Sequence, residues 1–420
     1  MNFKKPSLFL ALLTFLVSTG AYPFANSTEK VIETTPSAGP LIFNPEIKSA
    51  LENPALRKQI DFWKTIYGKY DSKHGVIHDA KFIDKVYEVV DLRAASGSTE
   101  RSIRASKARW RNALLEMHRR QRAGLAPETE DQKRVFGLFQ ESDDPNRFLN
   151  AAHRKRLRWQ TGQSDYFAAG IAKSGRWLPL MEQEFKAAGL PVELTRLPFV
   201  ESSFNLKARS KVGASGIWQF MRSTGRNFLT INAWVDERND PVAATRAAAR
   251  LLKQNYESLE SWPLAVTAYN HGRQGMMRAV RSIGSSLMED VINQYRSRTF
   301  GFASANFFTC LLAAIEIEQD SAHYFGEIAK DEPWKAVEIP LSHSIEMPRL
   351  MEHLTLSHAV LKDLNPALDS DVLSGKLRIP AGYSIRLPVD ASAPQAEALQ
   401  RFQESWEKIP KKWKSDRPKI

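Results

Sequence analysis

Apolar residues recur every three to four positions through most of the middle of this chain, a period that predicts helices. Phe62, Trp63, Ile66, Tyr67 and Tyr70 keep that spacing, and residues 101–122 form a helix-prone run with Leu114, Leu115 and Met117 on one face. Residues 167–188, carrying Leu178, Leu180, Met181 and Phe185, read as a helix stopped by Gly189. Asp240 and Pro241 have the form of an N-cap followed by a first helical position, and they open an alanine-rich helix. Ser261 and Pro263 open the next, which ends near Asn270, His271 and Gly272; Ser304 is expected to cap a last one through Phe307, Leu311, Ala314 and Ile315. Val86, Tyr87, Val89 and Val90 suit strand or helix, whereas 336–341 and 377–380 read as short strands with two short helices, 348–354 and 357–364, between them. The predicted class is mainly α, with a helical N-terminal region and a small α+β C-terminal segment.

The first residues follow a different logic. Lys4 and Lys5 precede a run at 8–17 that is apolar except for Thr14, and Ser18, Thr19, Gly20 and Ala21 follow it. A charged start, a short apolar stretch and small residues form the pattern of a secretory signal. The run is shorter than a bilayer span needs. Cleavage after Ala21 or Ala25 fits equally, and retention as an uncleaved anchor is the alternative reading. With no other apolar stretch near ~20 residues, no integral membrane segment is expected after signal cleavage. The chain then divides into 1–25 as signal, 26–45 as a polar tether, 46–150 as a mostly helical N-terminal region, 151–320 as a helical domain, 335–390 as the α+β segment and 391–420 as a basic tail.

Charge narrows the partners. Fifty-nine Lys+Arg against 47 Asp+Glu leave a net +12 and a pI near 9.6, which favours an anionic partner, either nucleic acid or a carboxylate-bearing polymer. Much of the excess lies in 101–122, where eight Lys/Arg stand against Glu116. Export argues against nucleic acid, leaving a solvated basic face or contact with an anionic polymer outside the cell. The single cysteine, Cys310, lies in an apolar run and can form no internal disulfide; with none near the signal, lipid attachment to a new N-terminal cysteine is not expected. The nine histidines are scattered without metal-ligand spacing, so neither a metal nor an organic cofactor is expected.

Candidate chemistry lies in three segments: Phe199-Val-Glu-Ser-Ser-Phe-Asn205, Gly213-Ala-Ser-Gly-Ile-Trp-Gln-Phe220 and Ala268-Tyr-Asn270. Glu201 emerges from apolar company, with Leu194, Leu197, Phe199 and Val200 before it and Pro198 expected to kink its helix. Partial desolvation beside Phe204 and Trp218 would raise its pKa and keep it protonated, which a general acid requires. Alone, a glutamate at a helix end is more often a cap or an ion-pair member.

The order and spacing of these segments change that weight. With 236–241 and 298–303 they resemble the lytic murein transglycosylases with a lysozyme-like SLT domain, in particular the membrane-bound lytic murein transglycosylase D group. The resemblance implies a lysozyme-like catalytic domain at 151–320, periplasmic residence and peptidoglycan glycan strands as the substrate, with wall-remodelling proteins as partners and a monomeric chain. It implies that Glu201 is the catalytic acid/base, that Gln219 lines the glycan cleft, and that Tyr269 and Asn270 stand beside the acid and the sugar. Ser202 and Ser215 are expected near the substrate, more as supporting hydrogen bonds than as contacts. Trp218 stands where the family has methionine and could stack on a sugar or fill the core; Leu206 and His271 are further departures. The implied reaction cleaves the bond between N-acetylmuramic acid and N-acetylglucosamine and leaves a 1,6-anhydro end, without the second carboxylate of ordinary glycosidases. Asp236, Glu237 and Asp240 are the available second acids, and helix-terminal roles explain them better. A hydrolytic muramidase and a non-catalytic wall-binding scaffold are the alternatives. The tail, 361–366 with 375–380, faintly resembles half of a LysM glycan-binding module.

Overall fold

The computed structural model describes residues 30–32, 43–93, 98–389 and 401. The expected signal, most of the tether and nearly all of the basic tail lie outside the described residues. Within them no helix is long and apolar enough to cross a membrane.

The core is built around the helix Phe302–Gln319, whose side chains are buried on nearly every face, from Phe307 and Phe308 to Ile315 and Ile317. A helix apolar all round has no solvent side and must be enclosed. It is enclosed by Pro54–Gly68, Trp262–His271, and the 3-10 turn Val192–Arg196 with the short helix Leu197–Ser202. Behind these, Pro241–Leu259 presents Ala244, Ala247 and Ala248, small enough to bring it close to Trp262–His271 and the long helix Ser164–Ala187. Asp240 caps Pro241–Leu259 as the sequence predicts, accepting from the Val242 and Ala243 amides at 2.9 and 3.1 Å. Asn44 and Asn53, each followed by proline, cap Pro45–Glu52 and Pro54–Gly68 in the same way.

Those two helices change the domain picture. Residues 46–150 were expected to form a region apart from 151–320, but Ile47, Leu56, Ile60, Trp63, Ile66 and Tyr67 pack in one core with the central helix. The boundary also cuts a sheet: β2 (His74–Asp79) lies between β3 (Val86–Asp91) and β4 (Leu157–Thr161), antiparallel to both. This sheet and the basic helix Thr99–Arg122 enclose a second core of Ile77, Tyr87, Trp110, Leu114 and Phe148.

At the C-terminal end, β5 (Ala336–Pro340) pairs with β6 (Ser384–Leu387), and the helices Met347–Leu354 and His358–Leu364 lie between them in the chain. β1 (Lys30–Ile32), inside the expected tether, adds to the free edge of β5. The strand expected at 377–380 is reduced to a single bridge, Ile379 with Ile345; the second strand lies beyond Gly382. Arg386 obscured it, a cation on a strand that is nonetheless buried between Asp240 and Glu338. Backbone bonds from Asp236 N to Ala367 O (2.8 Å) and from Asp369 N to Trp234 O (2.9 Å) fix this unit to the helical body.

Two local expectations are corrected. Pro198 does not kink a continuous helix; the chain turns in the 3-10 segment, and Pro198 occupies an early position of Leu197–Ser202, where its missing N–H leaves nothing unpaired. Ser304 does not cap, because the central helix starts after Gly301.

One buried cation holds the segment before Glu201. The Arg196 guanidinium bonds Glu182 of Ser164–Ala187 at 2.5 Å and Glu318 of the central helix at 3.3 Å, all three being nearly solvent-free. Arg196→Ala would leave the buried Glu182 without its cation and Glu318 with Lys330 at 3.8 Å, and should destabilise the fold by about 3–5 kcal/mol. Urea unfolding measures it, and a loss below about 1 kcal/mol, the scale of a surface pair, would contradict this role.

Candidate active site

Glu201 sits on the last turn of Leu197–Ser202, and the chain leaves that turn through Ser203 and Phe204, both with left-handed backbone (φ 49° and 55°). Such non-glycine residues cost on the order of 1 kcal/mol each and persist where the surroundings impose them. Here the surroundings are tight. Phe204 is fully buried, its ring edge-on to Phe199 at 4.7 Å, and a side chain at Gly170 of the adjacent helix would come within 3.1 Å of the Ser203 carbonyl.

The structure brings the three sequence segments together by side-chain bonds to one loop. Ser202 Oγ donates to the Ile217 carbonyl at 2.9 Å, and the Tyr269 hydroxyl donates to the Trp218 carbonyl at 2.8 Å. The loop 213–220 is thus pinned from the Glu201 helix on one side and from Trp262–His271 on the other. Gln219, also left-handed (φ 48°), spends its amide on the Gly216 and Ala208 carbonyls at 2.7 and 3.1 Å. Asn270 is exposed, and its Oδ1 accepts from Ser304 at 2.8 Å.

Two residues expected near the substrate are turned inward, Trp218 into the core and Ser215 as a supporting hydrogen bond. Trp218 is fully buried, stacked on Phe185 (5.8 Å, 8°), and its indole N–H donates to Thr245 at 2.9 Å; it offers no face to a sugar. Ser215 is also buried, and its hydroxyl donates to Asn239 at 2.6 Å. Both build the loop rather than the surface above it. Ser202 is half-buried with its hydroxyl engaged by the loop.

Three residues that sequence reasoning did not single out for the site belong to it. Tyr67, on the N-terminal helix Pro54–Gly68, and Cys310, on the central helix, are both buried near enough to Glu201 for its charge to act on them. Burial raises the pKa of both well above the ordinary range, and a charge on Glu201 would raise it further. Tyr269 is held neutral in the same way. The third, Ser304, fixes Asn270. Nothing in the local sequence marks Tyr67 as more than one apolar position of a helix.

Glu201 itself is half-buried, but its carboxyl is desolvated enough that burial alone lifts its pKa from the ordinary 4.5 to about 8. No cation and no second carboxylate among the described residues contributes to that shift. The other acids are committed elsewhere. Asp236 chelates Arg238 at 2.9 and 2.7 Å, Glu237 accepts from the Thr230 amide at 2.6 Å, and Asp240 caps its helix and pairs with Arg386. The arrangement can present one protonated carboxyl at neutral pH.

Between pH 4.5 and about 8 the folded chain keeps a proton on Glu201 that the unfolded chain has released. Stability therefore falls as pH rises through that window. In Glu201→Gln this contribution is absent. The variant should match the wild type near pH 4 and exceed it by about 1–3 kcal/mol at pH 9, partial exposure reducing the full linkage value. Denaturant titrations at the two pH values test this; parallel pH profiles would contradict it.

Residues 180–300 match the family described as the transglycosylase SLT domain, a span that contains Glu201, Gln219, Tyr269 and Asn270 but not Tyr67, Ser304 or Cys310. Membrane-bound lytic murein transglycosylase D of Escherichia coli is 28% identical over 231 residues, covering 52% of this chain and 49% of that protein, and the same protein from a second strain gives the same figures. The chain thus spans about half the length of these curated relatives. A solved lytic transglycosylase, Slt of Pseudomonas aeruginosa in an inactive mutant form, is 20% identical with a TM-score of 0.30, covering 48% of this chain and 30% of that one. In its central segment this chain therefore carries a transglycosylase SLT domain, and over half its length it resembles the membrane-bound lytic murein transglycosylase D proteins.

Proposed function

We propose that the chain is a periplasmic lytic transglycosylase that cleaves the β-1,4 bond between N-acetylmuramic acid and N-acetylglucosamine in peptidoglycan, in remodelling of the wall. The observation that carries this reading is a single carboxyl, Glu201, protonated at neutral pH by burial and free of any partner acid. The SLT match around it and the likeness to a murein transglycosylase give the substrate class. No metal or organic cofactor enters the reaction.

Glu201 donates its proton to the glycosidic oxygen as the bond to the anomeric carbon breaks, and the acetamido group of the muramic acid can stabilise the charge that develops there. The resulting carboxylate lies where its anion is disfavoured, so it has a strong drive to recover a proton. It takes one from the C6 hydroxyl of the same sugar, whose oxygen closes on the anomeric carbon to give the 1,6-anhydro ring. The acid is regenerated and no water is consumed. Tyr67 and Tyr269, neutral at working pH, supply a low-dielectric wall without adding a competing charge. Asn270, fixed by Ser304, offers its amide to the sugar, and Gln219 holds the loop at the cleft.

Digestion of purified glycan strands followed by mass spectrometry tests the reaction. Products should be one water lighter than those of hydrolysis; reducing muramic ends alone would make the enzyme a muramidase, and binding without cutting would make it a scaffold. Glu201→Gln should lower kcat/KM by about 10²–10⁴-fold, the range for loss of a general acid. In the wild type kcat/KM should fall as pH rises through about 8, where Glu201 loses its proton.

A further inference from the structure

Away from Glu201, one pair of half-buried cations stands out among the described residues. Lys107 on Thr99–Arg122 and Arg158 on β4 are both half-buried. Burial lowers the pKa of each, and the charge of Arg158 lowers that of Lys107 further; no carboxylate among the described residues acts on either. The buried Nε of Arg158 has no acceptor. Two nearby cations are differently placed: Arg156 pairs with Asp79 at 2.7 Å and Arg109 with Asp131 at 3.1 Å.

What lies against Arg158 is a ring. Its guanidinium carbon stands 3.9 Å from the centre of Phe302, a cation–π contact that offsets only part of the lost hydration. His78, opposite Arg158 in the β2–β4 register, closes the floor 5.6 Å from Phe302, and its fully buried ring leaves Nε2 without a partner. Two like charges held together with little water are unfavourable until an anion enters between them.

The position gives the anion its identity. Phe302 opens the central helix, two residues before the Ser304 that fixes Asn270. It also lies 6.1 Å from Trp63, one helical turn from the Tyr67 that lies near Glu201. Phe302 and the buried rings of Trp63 and Tyr67 thus lead from Arg158 towards the candidate site. A peptidoglycan strand carries its negative charge on the carboxylates of the peptides attached to muramic acid. Resting on the glycan-cleaving reading of Glu201, we infer that Arg158, over Phe302, and its neighbour Lys107 form a subsite for a stem-peptide carboxylate of the strand that lies in the cleft. A lipid surface would call for cations raised on an exposed face, whereas these two are recessed and suit one small anionic group.

The test compares binding of peptide-bearing glycan strands with binding of the same strands after amidase removal of their peptides, on the full chain carrying Glu201→Gln so that nothing is cut. Adding Lys107→Gln and Arg158→Gln should weaken the peptide-bearing strands by about tenfold, the scale of a lost charge-assisted pair, and leave the bare strands unchanged. Unchanged binding of the bare strands also reports an intact fold. As a second variant, Lys107→Glu gives Arg158 an internal counter-charge; it should lose the same affinity while raising the thermal unfolding midpoint. Equal loss on both strands, or none on the peptide-bearing one, would overturn the assignment. So would lost binding to phosphatidylglycerol vesicles with both glycans bound normally, which would make the pair a membrane contact. Because the readout is binding, failure of the cleavage reading would appear separately, in the wild-type digest.

Discussion

The chemistry of this protein depends on keeping water away from one carboxyl. An exposed glutamate titrates near its ordinary value and is a carboxylate at neutral pH, with no proton to give. Glu201 differs because the helix it ends is pressed against a central helix that has no solvent face, and because Tyr67, Cys310 and Tyr269 arrive from three separate helices to close around it. Such closure carries an energetic penalty, visible in the left-handed turns at Ser203, Phe204 and Gln219. It is sustained by contacts that have no part in the chemistry: the stacked core behind Trp218, and the Arg196 bonds to Glu182 and Glu318 that hold the segment against both neighbours.

The same dependence explains what could be read in the sequence. Helix starts were legible where one residue both caps and stops, as at Asp240-Pro241, because that signal is local. The order of Glu201, Gln219, Tyr269 and Asn270 was legible as a pattern, and the structure joins those segments through Ser202 and Tyr269. Tyr67 was not, since its role comes from a contact across more than a hundred residues while its own helix shows only ordinary periodicity. Trp218 was ambiguous for a related reason. An aromatic beside a catalytic loop serves core or cleft equally well in sequence, and only Thr245 and Phe185 decide that it faces inward. The boundary placed at residue 150 failed because β2 and β4 pair across it, and strand pairing leaves no local mark.

The acids around the site show a second constraint. Asp236, Glu237 and Asp240 sit in one short segment and could have supplied the second carboxylate of an ordinary glycosidase. Each is held by a different structural demand: Arg238, the Thr230 amide, and the helix cap with Arg386. The C-terminal unit enforces the last of these, since Arg386 joins Asp240 to Glu338 of β5. Its docking therefore does more than append a module. It gives Asp240, already bonded to the Val242 and Ala243 amides, a second partner, and so holds this acid further from service as a free carboxylate.

Charge placement completes this logic. The chain carries a net +12, yet no cation among the described residues acts on Glu201. A lysine or arginine within a few ångströms would lower the glutamate's pKa and turn the acid into an anion before it could act. A basic residue that draws in an anionic partner must therefore stand at a distance that leaves the acid undisturbed. The buried rings of Tyr67 and Trp63, with Phe302 beyond them, provide that separation between Glu201 and the cations Lys107 and Arg158. Apolar rings transmit no proton and bring no charge of their own. They keep the charge of that pair from lowering the pKa of Glu201.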